Sequence, residues 1–271
     1  MMSIKLIALD IDDTLLDSKG ELLASTKAAV QKALAQGIKV VLCTGRPLAG
    51  VQPYLDALHI AGDDQYVITY NGAVTESVTG KVVAKHLVDN VLYRKMTAFG
   101  QEHQVPFNVL DENSNIYTAD RDVNWVTVIQ AWENKAGLLV RDPDELPADF
   151  QITKGLFVGN PEQLDPIEGL VEETFGQDCY IVRAGKYFLE LMNPVVNKGQ
   201  ALKELAGVLG LDADEIMAVG DEKNDIPMFQ FAGAAVSMGN GSDEAKAQAD
   251  YVTETNDEGG LANAIQKLAL I

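Results

Sequence analysis

The chain has 271 residues, 47% of them hydrophobic, with 21 Lys and Arg against 40 Asp and Glu and a formal net charge of −19. That is enough apolar material for one large domain or two of ordinary size, and it excludes a disordered chain. The negative charge disfavours nucleic acid and anionic membrane surfaces as partners, while small anions stay possible wherever positive groups converge locally.

Cys43 and Cys179 are far apart and lack metal-ligand spacing. They indicate neither a disulfide framework nor a zinc site and fit a reducing cytoplasm. No segment approaches 18 uninterrupted apolar residues, nothing in the N-terminal run reads as a targeting signal, and no protein partner is indicated.

In chain order, "IKLIALD" (4 to 10) is a short continuous apolar run of the kind a strand buried on both faces shows. A helix follows, with Ser25 as N-cap and Gly37 as stop, and then a second buried strand, "IKVVLCTG" (38 to 45). Strand, helix and strand make a βαβ unit and predict a parallel sheet with covered faces. Residues 86 to 188 change character: "PFNVLD", "NIYTAD", "ITKGLFVG", "CYIVRAG" and "YFLELM" alternate as antiparallel strands do. Helices near 89 to 104 and 161 to 175 would cover one face. The α/β grammar then returns with a helix over 197 to 211, a strand in "EIMAVGD" (215 to 221), and further alternating elements to the C-terminus. The predicted architecture is α/β: a Rossmann-like parallel-sheet core of residues 1–85 and 189–271, with an α+β domain, 86–188, inserted into it.

Ligands of an open parallel sheet bind beyond the carboxyl ends of its strands. The first strand ends in Asp10, Asp12 and Thr14, the second in Thr44, Gly45 and Arg46, and "EIMAVGD" in Asp221 with Asn224 and Asp225 beyond it. Lys198, at the start of a helix of the same core, can reach that rim. Carboxylates converging on a buried edge are driven toward protonation unless a cation holds them ionised. Oxygen-only ligands without His or Cys favour Mg²⁺. Mg²⁺, Lys198, Arg46, Thr14 and Thr44 would then make a pocket for a phosphoryl group. Asp10 and Asp12 alternate around Ile11, so in extended backbone they share a face. One can attack phosphorus while the other protonates the leaving oxygen.

The remaining polar residues read more plainly. Asp17, Asp63 and Asp64 are taken as solvated or capping residues, and His59, His86 and His103 are too scattered for a catalytic role. Trp125 and Trp132, seven apart, have the spacing of a helix face turned to a core; Cys43 reads as a small buried residue.

"DIDDT", "TGR", Lys198 in "VNKG" and "GDEKND" resemble, in order, the four motifs of the haloacid dehalogenase superfamily. More narrowly, with "TYNGA" and "YFLEL", the chain is similar over its whole length to the Cof-like phosphatases with a type IIB inserted cap. The resemblance implies a Mg²⁺-dependent phosphatase of small phosphorylated metabolites, sugar phosphates foremost, working through an aspartyl phosphate. Asp10 would be the nucleophile and a metal ligand, Asp12 the general acid and base with its carbonyl on the metal, and Asp221 the third ligand. Thr44 and Lys198 would hold phosphoryl oxygens, Asn224 and Arg46 would contact substrate, and Asp225 would support Lys198 or the metal shell. Cof-like proteins usually have Gly where this chain has Asp13; Asp tolerates positive φ better than most residues, so the turn is expected to survive. A phosphoryl mutase and a non-catalytic phosphate sensor are the alternatives.

Overall fold

The computed structural model describes residues 3–270; residues 1, 2 and 271, which the predicted core ranges include, lie outside the described residues. The elements run β1 (Leu6–Leu9), α1 (Ala24–Ala35), β2 (Lys39–Cys43), α2 (Leu48–Leu58), β3 (Tyr66–Thr69), β4 (Val74–Ser77) and β5 (Val82–Lys85). Next come α3 (Asn90–Glu102), β6 (Phe107–Leu110), β7 (Asn115–Thr118), α4 (Trp125–Glu133), β8 (Gly137–Val140), β9 (Lys154–Val158), α5 (Pro161–Phe175), β10 (Tyr180–Ala184) and β11 (Phe188–Met192). The chain closes with α6 (Lys198–Leu209), β12 (Ile216–Gly220), α7 (Ile226–Phe231), β13 (Ala234–Ser237), α8 (Asp243–Gln248), β14 (Tyr251–Val252) and α9 (Gly260–Leu268).

The described residues divide into two compact units, 3–45, 51–85 and 197–270 in the first and 46–50 with 86–196 in the second. Among the described residues, the sheet of the first unit runs β14-β13-β12-β1-β2-β3-β4-β5. It is parallel from β14 to β3 and antiparallel at β4 and β5. The continuous apolar run of β1 is explained by its central place: Leu6 and Ala8 pack with Leu202 and Leu205 of α6, while Ile7 and Leu9 leave the other face. All four are fully buried. α1 starts earlier than Ser25 suggested: Leu23 is its N-cap, with extended backbone and no side-chain bond, so Ser25 falls in the first turn.

The second unit is α+β. Its sheet runs β10-β11-β9-β6-β7-β8, antiparallel apart from the parallel pair β7–β8. Phe107, Phe157 and Leu189 lie in register across β6, β9 and β11 and pack with Met96 and Phe99 of α3 and Leu164, Val171 and Phe175 of α5. The chain leaves this unit after Val196, where residue 188 was expected. The reason is pairing: β11 is bonded along its length to β9 and β10, and alternation alone does not show which sheet a strand joins.

α4 corrects the expectation for the two tryptophans. The helix forms, but its buried face is Val126, Thr127, Gln130 and Ala131, while Trp125 and Trp132 are 48% and 80% exposed. Buried Asn108 decides this, since its amide donates to Thr127 Oγ1 at 2.9 Å and to Gln130 Oε1 at 3.1 Å. A seven-residue spacing puts two side chains on one face without saying which face is inside. Among the described residues no helix is long and apolar enough to cross a membrane.

Phe157 is fully buried, with its ring 4.9 Å from that of Phe107 and 5.3 Å from that of Phe99. Phe157→Ala should lower the unfolding free energy of the second unit by about 3–5 kcal/mol, read by urea denaturation.

Candidate active site

Three neighbouring strands of the first unit, β12, β1 and β2, run parallel and end together. Asp221, Asp10 and Thr44 are the first residues past their carboxyl ends, and all three are buried. Lys198 is the first residue of α6, held there by its N-cap Asn197, whose side chain accepts the Gln200 N–H at 2.7 Å. Its side chain is fully buried, and its Nζ donates to Asp10 Oδ1 at 2.5 Å and to Asp225 Oδ1 at 2.7 Å. Asp225 Oδ2 accepts the N–H groups of Asp221 (2.9 Å) and Glu222 (3.1 Å), so one carboxylate ties the lysine to the turn that carries Asp221. Gly220 makes room for this: a Cβ there would sit 2.3 Å from Asp225 Cγ. Thr14 Oγ1 donates to Asp221 Oδ1 at 2.8 Å.

Carboxylate oxygens of Asp10, Asp221 and Asp225 lie within 4.8 Å of one another. Fully ionised, three carboxylates and one ammonium leave a formal −2 in a buried space. The consequences are visible in their proton affinities. Burial pushes Asp10 well above the usual carboxylate range, against the pull of Lys198 and with repulsion from Asp225 and Asp221. Asp221 is pushed up to about 7 by burial and by Asp225, despite the Thr14 hydrogen bond. For Lys198, burial opposes the charge, but Asp10 and Asp225 outweigh it and hold the ammonium above its ordinary range.

The other sequence-derived residues fall as follows. Asp12 is exposed while Ile11 is fully buried. Asp13 is exposed at φ +57°, the left-handed conformation expected for a residue in a glycine's place, and its carbonyl accepts from Asn240 Nδ2 at 2.8 Å. Burial and the charges of Asp12 and Asp257 raise its proton affinity. Asp17 is buried, not solvated, and caps its own turn by accepting the N–H groups of Lys19 and Glu21. Asn224 is half-buried next to the cluster; Gly45 and Arg46 follow Thr44, Arg46 being half-buried and grouped with the second unit. Thr14, expected on the substrate, donates its hydroxyl to Asp221; Asp225, expected at Lys198 or the metal, has its Oδ1 on Lys198 and its Oδ2 on two backbone N–H groups while lying within the carboxylate cluster.

One residue was missed. Asn71, 92% buried by its 8% exposure, has its Oδ1 3.3 Å from Asn224 Nδ2, and its N–H donates to the Thr44 carbonyl at 2.9 Å. The signal for it was Asn-Gly directly after an apolar strand, a pair that marks positive φ.

Comparison with known proteins places these residues in a wider set. A family model described as haloacid dehalogenase-like hydrolase matches residues 7–265. YxeH of Bacillus subtilis is 36% identical over 267 residues, covering 98% of both chains. The phosphatase YwpJ of the same organism is 32% identical over 292 residues, covering 97% of this chain and 99% of its own. A haloacid dehalogenase-like hydrolase from Bacteroides thetaiotaomicron superposes with a TM-score of 0.89 at 30% identity, covering 98% of this chain and 100% of that one. A sugar phosphatase of subclass IIB superposes at 0.82 and 26% identity, with 98% and 100% covered.

The crowded carboxylates lead to a stability prediction in EDTA. A carboxyl whose folded pKa (about 7 for Asp221) exceeds its ordinary 3.8 supports the fold fully below pH about 4, and that support is lost as pH rises through 7. Asp221→Asn keeps the acceptor for Thr14 and removes the charge. In thermal melts in EDTA its Tm should match wild type near pH 4 and exceed it by several degrees at pH 7.5.

Proposed function

We propose, since the chain belongs to the haloacid dehalogenase-like hydrolases and is a phosphoric monoester hydrolase, that it hydrolyses small phosphorylated metabolites, sugar phosphates foremost, through an aspartyl phosphate. The observation that carries this reading is the buried chain Asp10–Lys198–Asp225, with Asp221 beside it, at the ends of three adjacent parallel strands. An all-oxygen donor set with a surplus of two negative charges fits a hard divalent cation, and Mg²⁺ is the one proposed. Asp10, Asp221 and the Asp12 carbonyl would hold it. When bound it neutralises the surplus charge and the charge of the transferring phosphoryl group. Asp225 is assigned to Lys198 and the backbone, where both its oxygens already lie.

Asp10 is the proposed nucleophile, because Lys198 holds one of its oxygens at 2.5 Å and so fixes the carboxylate's plane. A bond forms from Asp10 to phosphorus as the ester P–O bond breaks, and Asp12 gives its proton to the leaving alkoxide. Asp12 then takes a proton from water, which attacks the same phosphorus. The Asp10–phosphorus bond breaks, returning the carboxylate and releasing inorganic phosphate. Exposure of Asp12 suits a group that must meet both the leaving oxygen and water. Thr44 and the Lys198 ammonium are assigned to phosphoryl oxygens, and Gly45, Asn224 and Arg46 to substrate. Choice among substrates is assigned to the second unit, the inserted α+β body.

The test is release of p-nitrophenol from p-nitrophenyl phosphate in the presence and absence of Mg²⁺. Wild type should be active only with the metal, Asp10→Asn should fall by at least about 10³-fold, and Asp13→Gly should keep activity because Gly adopts φ +57° freely. Activity that persists in Asp10→Asn would overturn the covalent reading. A folded but inactive Asp13→Gly would show that the acidic cluster is wrongly divided.

A further inference from the structure

After β3 the backbone of the first unit passes through three consecutive residues at positive φ: Tyr70 at +51°, Asn71 at +58° and Gly72 at +105°. A fully buried tyrosine in this conformation is an outlier, and two neighbouring non-glycine residues hold there only where their surroundings dictate it. What surrounds them is the phosphoryl-binding machinery. The Asn71 N–H donates to the carbonyl of Thr44 at 2.9 Å. Asn71 Oδ1 lies 3.1 Å from where a Cβ on Gly45 would be. It also accepts from Asn224 Nδ2 at 3.3 Å. Gly72 lies so close to α6 that a Cβ would come within 2.6 Å of the carbonyl oxygen of Asn197, the N-cap that sets Lys198. One turn therefore touches the strand end bearing Thr44, the helix start bearing Lys198, and Asn224.

We infer that Asn71 is a positioning residue for phosphoryl binding: its side-chain oxygen fixes the plane of the Asn224 amide, and its backbone fixes the Thr44–Gly45 strand end at a set spacing from it. Chemistry supports this directly. An amide nitrogen carries two N–H donors. With one committed to Asn71, the orientation of the other is set, and the amide cannot turn its oxygen toward an anionic ligand without breaking that bond. Glycine at position 45 leaves room for Asn71, since even a methyl group would press on the amide oxygen. This inference rests on the phosphatase reading, because it gives Asn224 a phosphate to hold.

The experiment compares wild type, Asn71→Gly, Asn224→Ala and the double variant with p-nitrophenyl phosphate and Mg²⁺, together with inhibition by inorganic phosphate and thermal melts. Glycine keeps the left-handed backbone and removes only the amide. Asn71→Gly should raise KM and the inhibition constant of phosphate about tenfold each, with kcat changed less than about twofold and Tm not lowered. In the Asn224→Ala background the same change should add less than about twofold, because the proposed effect of the Asn71 amide on phosphate runs through its bond to Asn224. Full additivity, or a fall in Tm and kcat at unchanged KM, would overturn the positioning role in favour of a structural one. If wild type is active and Asn71→Gly is indistinguishable from it, the positioning role alone fails. If wild type hydrolyses no ester, the phosphatase reading fails and takes this inference with it.

Discussion

A single buried ammonium organises the first unit. Lys198 makes two short charged contacts, to Asp10 on β1 and to Asp225 beyond β12, and has no exposed side-chain surface. An uncompensated charge in such a place costs several kcal/mol, so the lysine depends on having a buried carboxylate partner. Two carboxylates for one ammonium, with Asp221 adjacent, overshoot neutrality. A structural ion pair would stop at balance; the surplus is what the proposed divalent cation would neutralise.

Topology explains how residues nearly two hundred positions apart arrive together. Parallel strands linked by covering helices present all their carboxyl ends on one edge. The order β12-β1-β2 then places Asp221, Asp10 and Thr44 side by side. What the fold adds beyond proximity is stiffness. Asp225 takes two backbone N–H groups as well as Lys198, Thr14 holds Asp221, and Asn71 ties the end of β2 to Asn224. Asp221, Lys198 and Asn224 are each thereby braced by a hydrogen bond to a neighbouring residue.

The charged residues of the site were legible because their chemistry is improbable elsewhere: carboxylates at the end of an apolar strand ask for a cation, and a lysine at a helix start asks for an anion. The parallel sheet was legible from strands apolar on both faces. Asn71 was harder, since a turn asparagine has many ordinary uses and only its contacts with Thr44 and Asn224 single it out. Trp125 and Trp132 misled because spacing reports a shared face while Asn108, a polar residue on a buried strand, chose which face turned inward. The late exit from the second unit was invisible for a related reason: β11 alternates as any half-buried strand does, and its allegiance lies in backbone bonds to β9 and β10.

The position of β1 between β2 and β12 also bears on synthesis. On the ribosome, β1 and β2 can pair as soon as both have emerged, but the other edge of β1 waits for a strand more than two hundred residues downstream. Until then the nascent chain carries an open apolar strand edge, the kind of surface that recruits chaperones or a neighbouring chain. The same delay leaves Asp10 without Lys198 and Asp221, so the buried charge cluster is assembled only as the last third of the polypeptide is laid down. Pairing of β12 with β1 both covers that edge of β1 and brings Asp221 beside Asp10.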